Sequence, residues 1–163
     1  MKNVETMRHR ARDFAADLLR AARADVHLSQ TALAVAAGIS RSTLAAYESG
    51  RRRPQPDRLR EILIAARTRP SIPLAILADQ VRAAASMNGL DEVRVFGSIL
   101  YGRDTERSDI DLLVRARPDT SIIDVAAFAL DVEGLTGFRV DVVTDTQQQS
   151  PALAHILSSA VLL

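Results

Sequence analysis

Residues 97–114 read GSILYGRDTERSDIDLLV, and this stretch decides the fold of the chain around it. Its last six residues, DIDLLV (109–114), have the alternation and aliphatic bulk of a buried strand with an acidic beginning. Side chains two positions apart on a strand lie on one face, so the carboxylates of Asp109 and Asp111 are expected close together. Because two neighbouring like charges repel, a divalent cation with oxygen ligands is the natural compensation.

The residues before this acidic pair predict a phosphate-binding turn. DEVRVF (91–96) has the pattern of a strand that runs directly into Gly97 and Ser98. A glycine lets the backbone approach a ligand, and Ser98 would begin a helical turn whose free N–H groups suit an anion. The sequence therefore predicts phosphate on one side of the turn and a metal ion on the other.

Gly97-Ser98, ten further residues and Asp109-x-Asp111 together resemble the signature of the DNA polymerase β-like nucleotidyltransferases, in particular the minimal nucleotidyltransferases (MNT) of prokaryotes. The resemblance implies a small α/β domain with a mixed sheet that uses ATP or another NTP. It also implies nucleotide binding by Gly97, Ser98 and Arg103.

A third acid lies on the predicted strand FRVDVV (138–143). Either Arg139 and Asp141 pair with each other on a solvated face, or Asp141 lies beside Asp109 and Asp111, as the family's third carboxylate does. The second interpretation is favoured because Arg-x-Asp between β-branched residues, at this point in the order of elements, matches the family as well as the local pattern. Three carboxylates could hold two Mg²⁺ ions, one for the triphosphate and one to activate a hydroxyl that displaces pyrophosphate at the α-phosphorus.

The chain departs from the family's common Gly-Ser-Arg-Ala-Arg-Gly at Ile99, Leu100 and Tyr101. Two cationic side chains near the phosphates are therefore missing, and Arg103 and Arg107 could partly replace them. Tyr101 could stack on a base, but packing against the domain is the commoner role of a tyrosine. The missing cations would bear on the affinity for nucleotide and on turnover.

Charge is divided unequally along the chain. Residues 1–70 contain 14 Lys and Arg against 7 Asp and Glu, a balance of +7, whereas residues 71–163 contain 7 against 13, a balance of −6. This asymmetry favours nucleic acid as a partner of the first part and metal or a basic partner for the second.

The chain has no cysteine, which excludes disulfides and thiolate metal sites. MKNVETMRHR lacks the apolar core of a signal peptide, and no apolar run approaches a membrane span, so we expect a cytoplasmic protein without a membrane partner.

The segment LSQTALAVAAGISRSTLAAYESGRRRPQP (28–56) predicts two short helices joined by a turn. Ser29 would cap a helix over 30–37 that ends at Gly38, and Ser40 would cap a helix from Arg41 to about Glu48. A small residue, Ala34, stands where two helices would cross. These features resemble the helix-turn-helix of the Cro/repressor (XRE-like) family over about residues 12–66, although a fragment of an ordinary helical bundle has a similar pattern.

The helix-turn-helix resemblance implies DNA contacts in two places. Arg41 and Ser42, on the first turn of the recognition helix, would read base edges. Phosphates would be met by Gln30, Thr43, Arg51, Arg52 and Arg53. Modules of this kind bind palindromes as dimers, so operator DNA and a homodimer are implied by analogy.

The chain is predicted to fold as two domains, a helical DNA-binding domain over 1–69 and an α/β nucleotidyltransferase domain over 70–163. Thr68 to Pro73 would form an irregular linker because of its two prolines. A helix from Leu74 to Met87 would follow, and after the strands a tail helix over 151–158 and a short apolar end.

Three functions remain open. In the first, the chain is an antitoxin that transfers a nucleotide, AMP from ATP by resemblance, to a toxin with a HEPN ribonuclease fold and represses its own operon. In the second, it is a regulator whose nucleotidyltransferase domain only binds nucleotide or partner. In the third, it is a toxin that modifies tRNA. The intact set of Asp109, Asp111 and Asp141 favours the first.

Overall fold

The computed structural model describes residues 2–145 and 151–163. Its first part is helical, with α1 (Lys2–Asp25), α2 (Gln30–Ala36), α3 (Arg41–Glu48) and α4 (Pro56–Ala65). The Ser29 hydroxyl accepts a hydrogen bond from the N–H of Ala32, and the Ser40 hydroxyl accepts one from Thr43, so both predicted N-caps are confirmed.

A buried carboxylate holds the helical part together. Glu48, which is 4% exposed, accepts hydrogen bonds from Arg23 Nε at 2.7 Å and Gln30 Nε2 at 2.8 Å. Its oxygens therefore connect the ends of α1, α2 and α3 around a core that contains Leu33, Ala34 and Leu44.

The predicted linker is wrong in its second half. Ser71–Ile76 forms a short helix, α5, and Ala78–Met87 forms α6, with the break at Leu77. Pro73 is tolerated because the first N–H groups of a helix have no partner within it. The N–H of Ser71 instead donates to Asp104 Oδ2 at 3.0 Å, which ties the start of α5 to the loop before the acidic strand.

The second part is built on a four-stranded mixed sheet. Its elements are β1 (Leu90–Val95), α7 (Gly97–Leu100), β2 (Ile110–Ala116), α8 (Ile122–Thr136), β3 (Val140–Thr144), α9 (Pro151–Ser159) and β4 (Val161–Leu162). The strand order is β3-β2-β1-β4, with β2 and β3 parallel and the other pairs antiparallel. The predicted α/β class with a mixed sheet is confirmed, and the apolar end of the chain is an edge strand.

The helical part packs directly against the sheet part. Gly137, at the end of α8, has φ +77°, and a Cβ built there would lie 2.8 Å from Leu59 Cγ and 3.1 Å from Leu63 Cδ1 of α4. Phe138 follows and is 1% exposed. Buried apolar side chains of both parts form one continuous cluster, so α4 is held close to the beginning of β3.

Candidate active site

The parallel pairing of β2 and β3 brings two of the predicted acids together. Asp111 lies opposite Asp141 in the ladder, and the N–H of Ile110 donates to the carbonyl of Arg139 at 2.8 Å. Asp141 is exposed and forms no ion pair with Arg139 in the part of the chain that the structure describes. The pairing of Arg139 with Asp141 is therefore wrong, and the interpretation that places Asp141 beside Asp111 agrees with the register.

Gly97 packs against the carboxylate of Asp111. The N–H of Phe96 donates to the carbonyl of Asp111 at 3.2 Å, which brings the turn onto the acidic strand. Gly97 has φ +68°, and a Cβ built there would lie 1.9 Å from Asp111 Oδ2. The glycine is needed for its backbone conformation and also for the space that it leaves to the carboxylate.

Asp111 has an unfavourable environment for its charge. Burial raises the pKa of Asp111 above its usual range, and the neighbouring carboxylates of Asp141 and Asp109 raise it further. A hydrogen bond from the backbone of Ser98 opposes the rise. The backbone group that was expected to meet phosphate thus interacts with Asp111 in this structure.

Asp109, just before β2, is paired with the helical part of the chain. Its Oδ1 lies 3.5 Å from Nη2 of Arg60 on α4, and the two side chains are 43% and 22% exposed. Within residues 2–145 and 151–163, no group of three or more His, Cys, Asp or Glu side chains could hold a metal ion as it stands. The carboxylate oxygens of Asp109, Asp111 and Asp141 are nevertheless the donors that Mg²⁺ prefers, and Asp111 and Asp141 are free of ion pairs in this part of the chain.

The turn after Gly97 is the single helical turn α7, which contains Ser98, Ile99 and Leu100. Tyr101 follows and is 54% exposed, so the expectation that it packs into the domain is wrong. The guanidinium of Arg103 lies 5.7 Å from the centre of the Tyr101 ring. Arg103 and Tyr101 therefore form an exposed pair beside the turn.

A cleft lies between the helical part and the sheet part, next to the ion pair of Arg60 and Asp109. It has a volume of about 220 Å³ and is lined by Pro56, Asp57, Arg60, Glu133, Gly137, Phe138 and Arg139. Arg60 is thus shared between the cleft and the ion pair with Asp109.

The predicted DNA-reading residues lie on α3. Arg41 and Ser42 are exposed, and Thr43 is partly buried, with its hydroxyl 2.8 Å from that of Ser40. Gln30 is held by Glu48, so its amide N–H is already used inside the helical part. The start of the recognition helix is open to solvent, as a base-reading surface requires.

The three arginines after α3 are exposed but differ in their contacts. Arg51 Nε donates to the Ser49 hydroxyl at 3.0 Å, and the Arg52 guanidinium lies 5.7 Å from the centre of the Tyr47 ring. Arg53 Nη2 donates to the carbonyl of Gly134 on α8 at 3.4 Å. One predicted phosphate ligand therefore contacts the sheet part.

Comparison with known proteins agrees with this geometry. A nucleotidyltransferase domain model matches residues 77–161, which is more than half of the chain. The chain belongs to the nucleotidyltransferase family. A helix-turn-helix model matches residues 19–72, so the nucleotidyltransferase domain follows a DNA-binding module.

Two relatives of this nucleotidyltransferase resemble its second part. It is 33% identical over 73 residues to the protein adenylyltransferase MntA of Thermococcus cleftensis, a match that covers 45% of this chain and 74% of the relative. A solved structure described as a minimal nucleotidyltransferase is 33% identical with a TM-score of 0.53, and the match covers 57% of this chain and 95% of that one. None of the described helices has the length and apolarity that a membrane crossing would need.

Sequence reasoning missed the contacts between the two parts of this nucleotidyltransferase. Arg60 lies between Leu59 and the core residue Ile62 on an amphipathic helix, where an arginine reads as a solvated side chain. Asp104, which is 4% exposed and bonded to Ser71, also gave no local signal. Neither residue belongs to a motif, and only the packing of α4 on the sheet part brings Arg60 to Asp109.

Proposed function

We propose that the chain is an antitoxin that transfers a nucleotide, AMP from ATP, to a partner toxin and represses transcription through its helix-turn-helix. Residues 1–69 form the DNA-binding domain in this proposal, and residues 70–163 form the transferase domain. Asp109, Asp111 and Asp141 are its catalytic carboxylates. Its partners are operator DNA, which it binds as a homodimer, and a toxin with a HEPN ribonuclease fold, and it acts in the cytoplasm.

The observation that carries the proposal is the register of β2 and β3, which aligns Asp111 with Asp141 under the turn at Gly97. When burial and neighbouring negative charges raise the pKa of a carboxyl group, its ionised form is disfavoured unless a positively charged ligand compensates the charge. A divalent cation would do so, and a relative that is 33% identical over 73 residues is a protein adenylyltransferase.

The chemistry proposed is an in-line displacement. When bound at the three carboxylates, two Mg²⁺ ions would hold the triphosphate and lower the pKa of the attacking hydroxyl. A new bond forms between that oxygen and the α-phosphorus, the bond to the bridging oxygen breaks, pyrophosphate leaves and the hydroxyl proton goes to solvent. Gly97 and Ser98 would lie against the β- and γ-phosphates, and the exposed Arg103 would add a positive charge beside them.

The test is to incubate this protein with the product of the adjacent gene, Mg²⁺ and each NTP in turn, and to measure the intact mass of both proteins. Transfer of AMP adds one nucleotide monophosphate to the partner with ATP alone among the four nucleotides. The variant Asp109→Asn is the blank. An unchanged partner mass with every nucleotide contradicts the proposal.

A second candidate function is a regulator whose transferase domain binds nucleotide or partner without turnover. Ile99, Leu100 and Tyr101 favour it, because they stand where relatives of the family carry two cations. The two candidates differ in one measurement. A regulator protects its turn and strands from hydrogen exchange when ATP and Mg²⁺ are added but releases no pyrophosphate, whereas an enzyme releases it.

A further inference from the structure

Arg60 belongs to the helix-turn-helix part of the chain, yet its guanidinium contacts a carboxylate of the transferase motif. Nη2 of Arg60 lies 3.5 Å from Oδ1 of Asp109. Neither Asp111 nor Asp141 has a salt bridge to a residue that the structure describes, so Arg60 is the cation that the acidic group has within this part of the chain.

The position of Arg60 is set by packing rather than by chance. Its neighbours Leu59, Ile62 and Leu63 are buried, and Leu59 and Leu63 lie against the position of Gly137, at the end of α8 and three residues before β3. The backbone of α4 cannot move away from the site without breaking this contact. The side chain, which is 22% exposed, also lines the cleft together with Arg139 and Glu133.

The bond between Arg60 and Asp109 is incomplete. A guanidinium and a carboxylate pair most strongly through two parallel hydrogen bonds. Here Nη2 lies 3.5 Å from Oδ1, and Nη1 is buried without a hydrogen-bond partner among the residues that the structure describes. The ion pair therefore compensates the charge of Asp109, but little free energy is needed to break it. A metal ion could then replace the guanidinium.

We propose that Arg60 occupies Asp109 in place of a metal ion, so that Mg²⁺ binding requires the arginine to release this carboxylate. The inference rests on the proposed function in one respect, that Asp109 is a metal ligand. While the guanidinium lies beside Oδ1, its positive charge repels a divalent cation at the same carboxylate, so the two cations compete for Asp109. Arg60 is thus a positioning residue supplied by the DNA-binding part to the transferase site.

The consequence is a change in metal affinity when the arginine loses its charge. A partly exposed ion pair of this kind is worth at most about a fivefold change in an equilibrium constant. The variant Arg60→Gln keeps much of the side-chain stem and should bind Mg²⁺ about two- to fivefold more tightly than the wild type. Arg60→Lys restores a cation and should bring the affinity back toward that of the wild type.

The experiment is calorimetric titration of the full chain with Mg²⁺, repeated with Mn²⁺, with no nucleotide present. Arg58→Gln is the matched control, because Arg58 lies on the same helix and pairs with Glu61 on α4 at 2.6 Å. Asp109→Asn is the blank. Thermal unfolding of each variant checks that α4 remains folded, and no transfer activity is needed for the measurement.

Each outcome decides the matter. Tighter binding by Arg60→Gln, with Arg58→Gln and Arg60→Lys near the wild type, supports the inference, and so does binding that appears only in Arg60→Gln. Equal binding by Arg60→Gln and wild type overturns it while the metal function stands. Weaker binding by Arg60→Gln overturns it as well, because the arginine would then support the site. Absence of binding in every variant means that the proposed metal function is wrong, and the inference fails with it.

Discussion

Gly97→Ala is the substitution that tests the geometry of the acidic site most directly. The added Cβ would lie 1.9 Å from Asp111 Oδ2 and 2.8 Å from its Cγ. Real side chains essentially never approach a Cβ within 3.0 Å, so the carboxylate and the turn must separate by about 1 Å. The backbone of Asp111 is fixed by the ladder with Asp141, and its Cβ would lie 3.2 Å from the added Cβ, so the carboxylate must rotate about its side-chain bonds or the turn must move.

The magnitude has two parts. A non-glycine residue at φ +68° costs about 1–2 kcal/mol, since the left-handed region is unfavourable for a side chain with a Cβ. Overpacking against the carboxylate adds about 1–3 kcal/mol. The substitution should therefore lower the free energy of unfolding by about 2–5 kcal/mol in total, and a displacement of about 1 Å in a catalytic group costs roughly a hundredfold in rate.

Gly102→Ala is the matched control. Gly102 lies at the end of the same turn with φ +62°, but a Cβ built there would have no atom of the described residues within 4 Å. It should lose only the backbone contribution of about 1–2 kcal/mol and keep its transfer rate within a few-fold. Both variants are measured by urea unfolding and by pyrophosphate release in the presence of the partner protein.

The comparison of the two glycine variants can refute the reasoning in either measurement. If Gly97→Ala and Gly102→Ala lose the same stability, Asp111 is not confined by Gly97 as the structure shows. If Gly97→Ala keeps the transfer rate of Gly102→Ala, the position of Asp111 is not critical, and the catalytic assignment of this strand is wrong.

Four further substitutions test the charges of the molecule. Asp111→Asn should abolish Mg²⁺-dependent transfer but leave the metal-free chain at least as stable at neutral pH. The reason is that the pKa of Asp111 is raised, so the wild type gains stability as pH falls through that pKa. A clear loss of stability of the variant in urea unfolding at pH 7 would contradict this. Glu48→Gln should lower the free energy of unfolding by about 3 kcal/mol, because burial opposes ionisation of Glu48 but hydrogen bonds from Arg23 and Gln30 lower its pKa. The stability that ionised Glu48 contributes is present above the pKa of an unfolded glutamate and is lost as pH falls through the lowered pKa. The free energy of unfolding of the variant should therefore depend less on acid pH. Arg41→Ala should reduce discrimination between operator and unrelated DNA by about 1–3 kcal/mol, whereas Arg52→Ala should weaken both and flatten the salt dependence; equal losses of specificity in binding titrations would count against the assignment.

Local patterns predicted most of the secondary structure and the acidic strand. Two helix caps, the alternation of DIDLLV and the turn at Gly97 each depend on residues close in sequence, and each is found in the structure. The exception among local elements is α5. There the prolines suggested an irregular linker, but Pro73 falls in the first turn of a helix, where a missing N–H has no cost.

Contacts over long sequence distances could not be predicted in the same way. The placement of Asp141 beside the acidic pair was predicted from the family resemblance, because neither strand alone specifies its neighbour or its register. The pair of Arg60 and Asp109 depends on how α4 docks beside Gly137, and that docking follows from buried leucines that would suit many arrangements. The sequence thus predicted the three carboxylates, but it did not predict that Arg60 lies beside Asp109.

The arrangement of the strands supports the proposal that the acceptor comes from another molecule. Asp141 lies on β3, at one edge of the sheet, and its side chain is exposed. The last strand of the chain, β4, pairs with β1 at the opposite edge, where the N–H of Leu163 donates to the carbonyl of Val93 at 3.0 Å. Among the described residues, β4 and Leu163 therefore do not lie over the edge that carries Asp141, and a site open to water there would position an acceptor poorly. A protein that docks at this edge would both exclude water and present its hydroxyl, so transfer should be slow to small acceptors and fast to the cognate partner alone.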